Sequence, residues 1–202
     1  MKTNGFAFVG LLLVSALVTG CSSKPSQEEL QAIIVAQEGY PRQRDLTLDL
    51  ANVYHAAYLT RAKLDEQGYV KVNTKVTIND SENLRRIEFT PKAKPFLIGE
   101  VEEKQQKSAS LLGGTYAAFN QKIATYKIDF NKILAVRFNK NEDKAIVKYE
   151  AVFKELTPFA NVGAKDQERI QEGETVGKEA YLIKYEQGWK LQKQPTLDWI
   201  NF

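Results

Sequence analysis

At Gly68-Tyr69 the hydrophobic period of this chain changes, and that change restricts it to folds holding both helix and sheet. Upstream, apolar residues recur at helical spacing. Ser26, followed three residues later by Glu29, has the form of a capping box, and Leu30, Ile33 and Ile34 then fall on one face of a helix running to about Glu38. Gly39-Tyr40-Pro41 breaks that helix. Asp45 opens a second pattern in which Leu46, Leu50, Val53, Ala57 and Leu64 recur at spacings of three, four and seven, which predicts a second helix ending near Gly68. Downstream the period is two. Val70, Val72, Val76 and Ile78 alternate with Lys71, Lys75 and Thr77, Asn79 to Asn83 is turn chemistry, and Arg85, Ile87 and Phe89 form a returning strand that Pro91 stops.

Alternation continues through the C-terminal half. Strand-like runs fall at about 121 to 128, 132 to 139, 144 to 156, 178 to 186 and 189 to 193, with turns at Asn139 to Asp143 and at Glu186-Gln187-Gly188. The polar stretch Glu102 to Lys107 and the loop at Gly113-Gly114 separate this half from the first. The expected fold class is α+β: a small module of helices and a winged hairpin over residues 26–100, followed by a twisted antiparallel sheet module over residues 101–202. Residues 1–20 and 21–25 stand apart from both.

Those first residues carry an address. Lys2 precedes an apolar run from Phe6 to Val18, broken only by Gly10 and Ser15, which is too short to span a bilayer comfortably and has the form of an export signal. The run ends in Leu17-Val18-Thr19-Gly20-Cys21, which resembles the lipobox of bacterial lipoproteins. The resemblance implies that residues 1–20 are a signal peptide cleaved between Gly20 and Cys21, and that the Cys21 thiol accepts a diacylglyceryl group. Cys21 is also the single cysteine of the chain. Ser22, in place of an aspartate, implies by the same resemblance delivery to the outer membrane, facing the periplasm. Residues 21–25 form the lipidated tether; Ser22 to Pro25 reach about 15 Å when extended.

Two further resemblances concern the folded part. Leu59 to Leu64, Gly68-Tyr69-Val70, Arg85-Arg86 and Phe89-Thr90-Pro91-Lys92-Ala93-Lys94 resemble the second helix and wing of winged-helix domains. Ala180 to Tyr185, turning through Gly188 into Trp189-Lys190-Leu191, resemble the last hairpin of cystatin-like and NTF2-like domains.

Composition and spacing narrow the chemistry. Export and a formal charge of only +3, from 28 basic and 25 acidic side chains, argue against nucleic acid, and the second helix has only Arg61 and Lys63 near its end. With one His and one Cys, no zinc site that needs a second histidine or a second cysteine can form, and the acidic turns at Asn79-Asp80-Ser81 and Asn141-Glu142-Asp143 do not fit a calcium loop. No metal or cofactor is expected. His55 is the one candidate imidazole base; it falls opposite the expected apolar stripe, and no Gly-x-Ser-x-Gly elbow accompanies it. Ser108-Ala109-Ser110 with Gly113-Gly114 matches no catalytic spacing, and no catalytic residue is assigned.

Recognition is better served by the apolar residues Pro158 and Phe159, in an expected loop, and by Trp199 and Phe202 near the end of the sequence: exposed, they would mark a binding patch, and packed, they would complete a small core and fasten the C-terminus. The expectation is thus a non-catalytic, membrane-attached lipoprotein that binds another envelope protein through loops of the second module or the groove between modules. The alternatives are a carrier or sensor of a small apolar ligand, using a pocket in that module, and, third, a hydrolase.

Overall fold

The structure is a computed structural model that describes residues 24–73, 85–107 and 115–192. It is a mixed fold dominated by a curled antiparallel sheet. Helix α1, Gln27–Glu38, begins as its sequence requires: the Ser26 hydroxyl accepts from the Glu29 N–H at 3.2 Å, and the Glu29 carboxylate accepts from the Ser26 N–H at 2.8 Å. It ends at Gly39, whose φ of 71° is the left-handed conformation that an αL cap needs.

The second expected helix is shorter and starts later. Residues 42–49 form strand β1 (Arg42–Asp49), and helix α2 occupies Val53–Arg61 only. Asn52 resets the phase, because its side-chain oxygen accepts the Tyr54 and His55 N–H groups and fixes the first turn there. The buried face of α2 is therefore Ala56 and Leu59, and the expected stripe residues Val53 and Ala57 are exposed. The hairpin that follows pairs β2 (Val70–Val72) with β3 (Ile87–Phe89), Val70 opposite Phe89. Val76, Ile78 and the turn at Asn79 to Asn83 lie outside the described residues. A 3₁₀ helix at Pro91–Phe96 then leads into β4 (Leu97–Lys107).

The two runs expected at 121 to 128 and 132 to 139 are one strand, β5, spanning Thr115–Phe138. Register shifts opposite Phe130/Lys132 and Ile133/Ala135 absorb the irregular alternation as bulges and let the strand bend without ending. β6 (Lys144–Lys154), β7 (Thr175–Tyr185) and β8 (Gly188–Gln192) complete the sheet in the order β1-β5-β6-β7-β8. β4 also pairs with β5, over Thr115 to Ile123, whereas β6 pairs further along, from Lys127 to Phe138. β5 thus pairs with β1, β4 and β6. The outer edge of β8 is closed by α1, since the Gln37 side-chain oxygen accepts the Leu191 N–H at 2.8 Å.

Two cores lie along β5, and neither follows the division at residue 100. One places Leu30 and Ile34 of α1 against Val147, Ala151 and Leu182 of the sheet. The other collects Leu59, Leu64, Val70 and Ile87 around Phe159, against Phe119 and Ile123 of β5. The boundary at 100/101 falls inside β4, α1 packs on the C-terminal sheet, and Phe159 belongs to the core of the N-terminal elements. Burying branched and aromatic side chains on both sides of a shared strand stabilises the two ends together, at about 25 cal/mol per Å² of apolar surface. Among the described residues no helix is long and apolar enough to cross a membrane.

Candidate interaction surface

Helix α2 presents the largest aromatic exposure on the described surface. With its inner face committed to Ala56 and Leu59, the spacing of 3.6 turns Val53, Tyr54, Ala57, Tyr58 and Arg61 outward. Val53 is 56% exposed, Tyr54 69% and Tyr58 38%. Beside them an open groove of about 460 Å³ runs between α2 and the hairpin, walled by Val53, Ala57 and Thr60 on one side and Val72 on the other, with Arg61 and Arg86 among its lining residues.

The start of the helix is held by a small polar network. The buried Asp49 carboxylate accepts the N–H groups of Ala51 and Phe119, both at 3.1 Å, tying the β1–α2 turn to β5. The Asp49 N–H donates to Nδ1 of His55 at 2.8 Å. His55 is thus half-buried within the turn, not pointing freely to solvent, and its described hydrogen-bond partners are main-chain atoms and the Asn52 cap. Tyr58 is backed by the loop after β6: its ring lies against Gly163, where an added β-carbon would meet Cδ2 at 3.7 Å, and Gly163 has a φ of 80°. The outward ring therefore has a firm floor.

Of the residues expected to form a recognition patch, Phe159 is at 0% exposure and fills a core, ringed edge-to-face by Tyr69, Phe89 and Phe96 at centroid distances of 5.9, 6.2 and 6.0 Å. This corrects its assignment as an interaction residue: the Thr157 hydroxyl accepts the Phe159 N–H, turning the loop inward and bringing the ring into the aromatic cluster. Pro158, its neighbour, is half-buried. Trp199, Phe202, Gly20 and Cys21 lie outside the described residues, as do Ser108, Ser110 and Gly113-Gly114. The stripe expected from Leu46 and Leu50 does not apply to α2, since both precede it; with Ala56 and Leu59 turned inward, Tyr54 and Tyr58 fall about 140° and about 100° from Leu59 and face outward.

Two other grooves carry more charged side chains. One of about 400 Å³ lies on the outer face of β5, β6 and β7, lined by Ala135, Arg137, Ile146, Lys148 and Glu179, with Lys148 and Glu179 paired at 3.5 Å. Another of about 520 Å³, over β1, β4 and β5, carries Glu100, Glu102, Lys104 and Lys122. The Lys104 ammonium, hydrogen-bonded to Glu102 at 2.7 Å, holds that carboxyl below its usual range. Among the described residues no group of three or more His, Cys, Asp or Glu side chains is placed to hold a metal ion. Comparison with family models, with curated proteins and with solved structures gives no match to this chain.

Proposed function

We propose that this chain is a lipid-anchored protein of the bacterial outer membrane, its folded part in the periplasm, and that it acts by binding an envelope protein rather than by catalysis. The anchor rests on Leu17-Val18-Thr19-Gly20-Cys21. The observation that carries the binding role is the α2 surface, where Val53, Tyr54 and Tyr58 stand exposed beside an apolar groove. Rigid aromatic side chains on a short, capped helix offer contact area at little cost in side-chain entropy, which is the chemistry of interface anchors. Arg61 and Arg86 suit a partner segment whose apolar side chain is flanked by a carboxylate. Attachment to the membrane raises the local concentration of the chain, so a modest contact suffices.

A photo-crosslinking amino acid at Tyr54, introduced in intact cells, tests this reading. An envelope protein captured from position 54, and not from Leu134 on the distant sheet, upholds it; equal or absent capture at both positions refutes it. Cys21→Ser tests the anchor separately: labelled fatty acid should no longer be incorporated, and undiminished labelling would refute the assignment.

A further inference from the structure

We infer that one end of the sheet, formed by the β5–β6 and β7–β8 turns, is a docking surface for anionic phospholipid. This inference rests on the lipid anchor proposed above. Lys24, three residues after Cys21, lies at that end: its ammonium pairs with Glu142 at 2.7 Å and stands 5.6 Å from the centre of the Phe138 ring. The three peptide steps from Cys21 to Lys24 span at most about 11 Å. An acylated Cys21 would therefore keep the bilayer surface close to the turns at Asn139 to Asp143 and Glu186-Gln187, with the start of α1 at Ser26 also within a few residues of it.

Those two turns are one surface. The Lys184 N–H donates to the Asp143 carbonyl at 2.8 Å, and Phe138 meets Trp189 edge-to-face at 5.9 Å. Its charge suits the partner. Lys24, Lys140, Lys144, Lys184 and Lys190 gather here against Glu142, Asp143 and Glu186. Lys140, Lys184 and Lys190 are exposed, and Tyr185, 53% exposed, lies beneath the Lys190 ammonium at 5.8 Å from the ring centre. Amphipathic rings and long-stemmed cations are the side chains that settle at a headgroup layer. A lysine near an anionic surface adds about fivefold to its attraction, so these three change the balance between docked and undocked forms about a hundredfold.

The test uses the full acylated chain on vesicles of phosphatidylcholine, alone or mixed with phosphatidylglycerol. Because acylation consumes the one natural thiol, Asn141→Cys, Gln187→Cys and Glu66→Cys each offer a single position for a nitroxide. On anionic vesicles the labels at 141 and 187 should be shielded from a water-soluble paramagnetic relaxant and the label at 66 should not. The combined variant Lys140→Gln, Lys184→Gln, Lys190→Gln should lower the docked fraction about a hundredfold in equilibrium ratio. Raising salt to 1 M, where the Debye length is about 3 Å, should release the wild-type surface in the same way while the acyl chains stay inserted. Flotation with the vesicles, combined with equal exposure of all three labels, would overturn the docking surface and leave the anchor standing. Failure to float with phosphatidylcholine would overturn the anchor; the docking surface would then stand only if the chain still bound anionic vesicles with position 141 shielded, and would fall otherwise.

Discussion

Replacing Phe159 by Ala separates a core residue from a surface anchor, because the two roles predict opposite outcomes. The ring is wholly buried and meets three aromatic neighbours edge-to-face within 6.2 Å, so its removal leaves a cavity bounded by rings that belong to the hairpin, the 3₁₀ helix and the segment before β2. A buried Phe→Ala change costs about 3–5 kcal/mol, and the firm hold of Tyr69, Phe89 and Phe96 on their own elements opposes collapse into the space. Against a total stability of about 5–15 kcal/mol, that is about a fifth or more of what keeps the chain folded. With a urea dependence of about 2 kcal/mol per molar, the unfolding midpoint should fall by about 2 M. Phe159→Leu, which keeps most of the volume, should lose much less. A midpoint for Phe159→Ala within about 0.5 M of wild type would refute the reasoning, since a cavity of this kind cannot be that cheap. Loss of crosslinking at Tyr54 without loss of stability would move Phe159 back to the surface.

Tyr149→Phe should show its effect through pH. Burial, reinforced by the hydrogen bond between its hydroxyl and that of Tyr40 at 3.3 Å, pushes the Tyr149 phenol well above the ordinary tyrosine range. Its folded-state ionisation is thus raised above that of the unfolded chain: the stabilisation is complete below about pH 10 and is lost above it at about 1.4 kcal/mol per pH unit. Tyr149→Phe should be about 1–2 kcal/mol less stable than wild type at pH 8, and the gap should close by pH 11; urea midpoints at the two values check this, and an unchanged gap would contradict it. Asn52→Ala removes the acceptor of the Tyr54 and His55 N–H groups and should cost about 1 kcal/mol, with Asn52→Asp close to wild type in the same assay.

How much of this could be read from residue order depends on whether the governing interaction was local. The capping box at Ser26 and Glu29 and the hairpin turn at Glu186-Gln187 are settled within a few residues, and both form as expected. The β1–α2 boundary is not local. Residues 45 to 50 carry leucines compatible with a helix, but Leu46 and Leu48 are drawn into pairing with Ile123 and Gln121, some seventy-five residues away, and Asp49 finds the Phe119 N–H there. The single strand Thr115–Phe138 escaped for the opposite reason: bulges at Phe130 and Ile133 break the period of two without breaking the ladder, and an interrupted pattern looks like two strands. Phe159 could be read from the sequence either as a patch or as a core residue, because neither Thr157-Pro158 nor Gly163 reveals that the loop folds back under α2. The surface itself, Tyr54 and Tyr58, is not legible from the sequence because Leu46 and Leu50, which precede α2, set the expected apolar stripe.

The long strand also changes what a short tether implies. If the proposed anchor holds, the four residues between Cys21 and Ser26 would allow the folded part to move only about 15 Å from the lipid, which alone would confine any contact to the membrane surface. Yet Lys24 lies beside Phe138, the last residue of β5, while α2 packs on Phe119 near its start. About 60 Å of strand path separates those two residues, at 3.3 Å each, before the bulges bend it. Reach is therefore supplied by the sheet and not by the linker. With the proposed anchor and docking surface, a rigid spacer would hold the exposed helix in one orientation with respect to the bilayer, whereas a flexible linker of equal reach would spread it over a hemisphere and lower its effective concentration toward a partner at fixed depth. Inserting a flexible segment after Ser23 would lengthen the tether while freeing the docked end, and crosslinking at Tyr54 should decrease despite the greater reach; an increase would mean that distance from the membrane, not orientation, limits the contact.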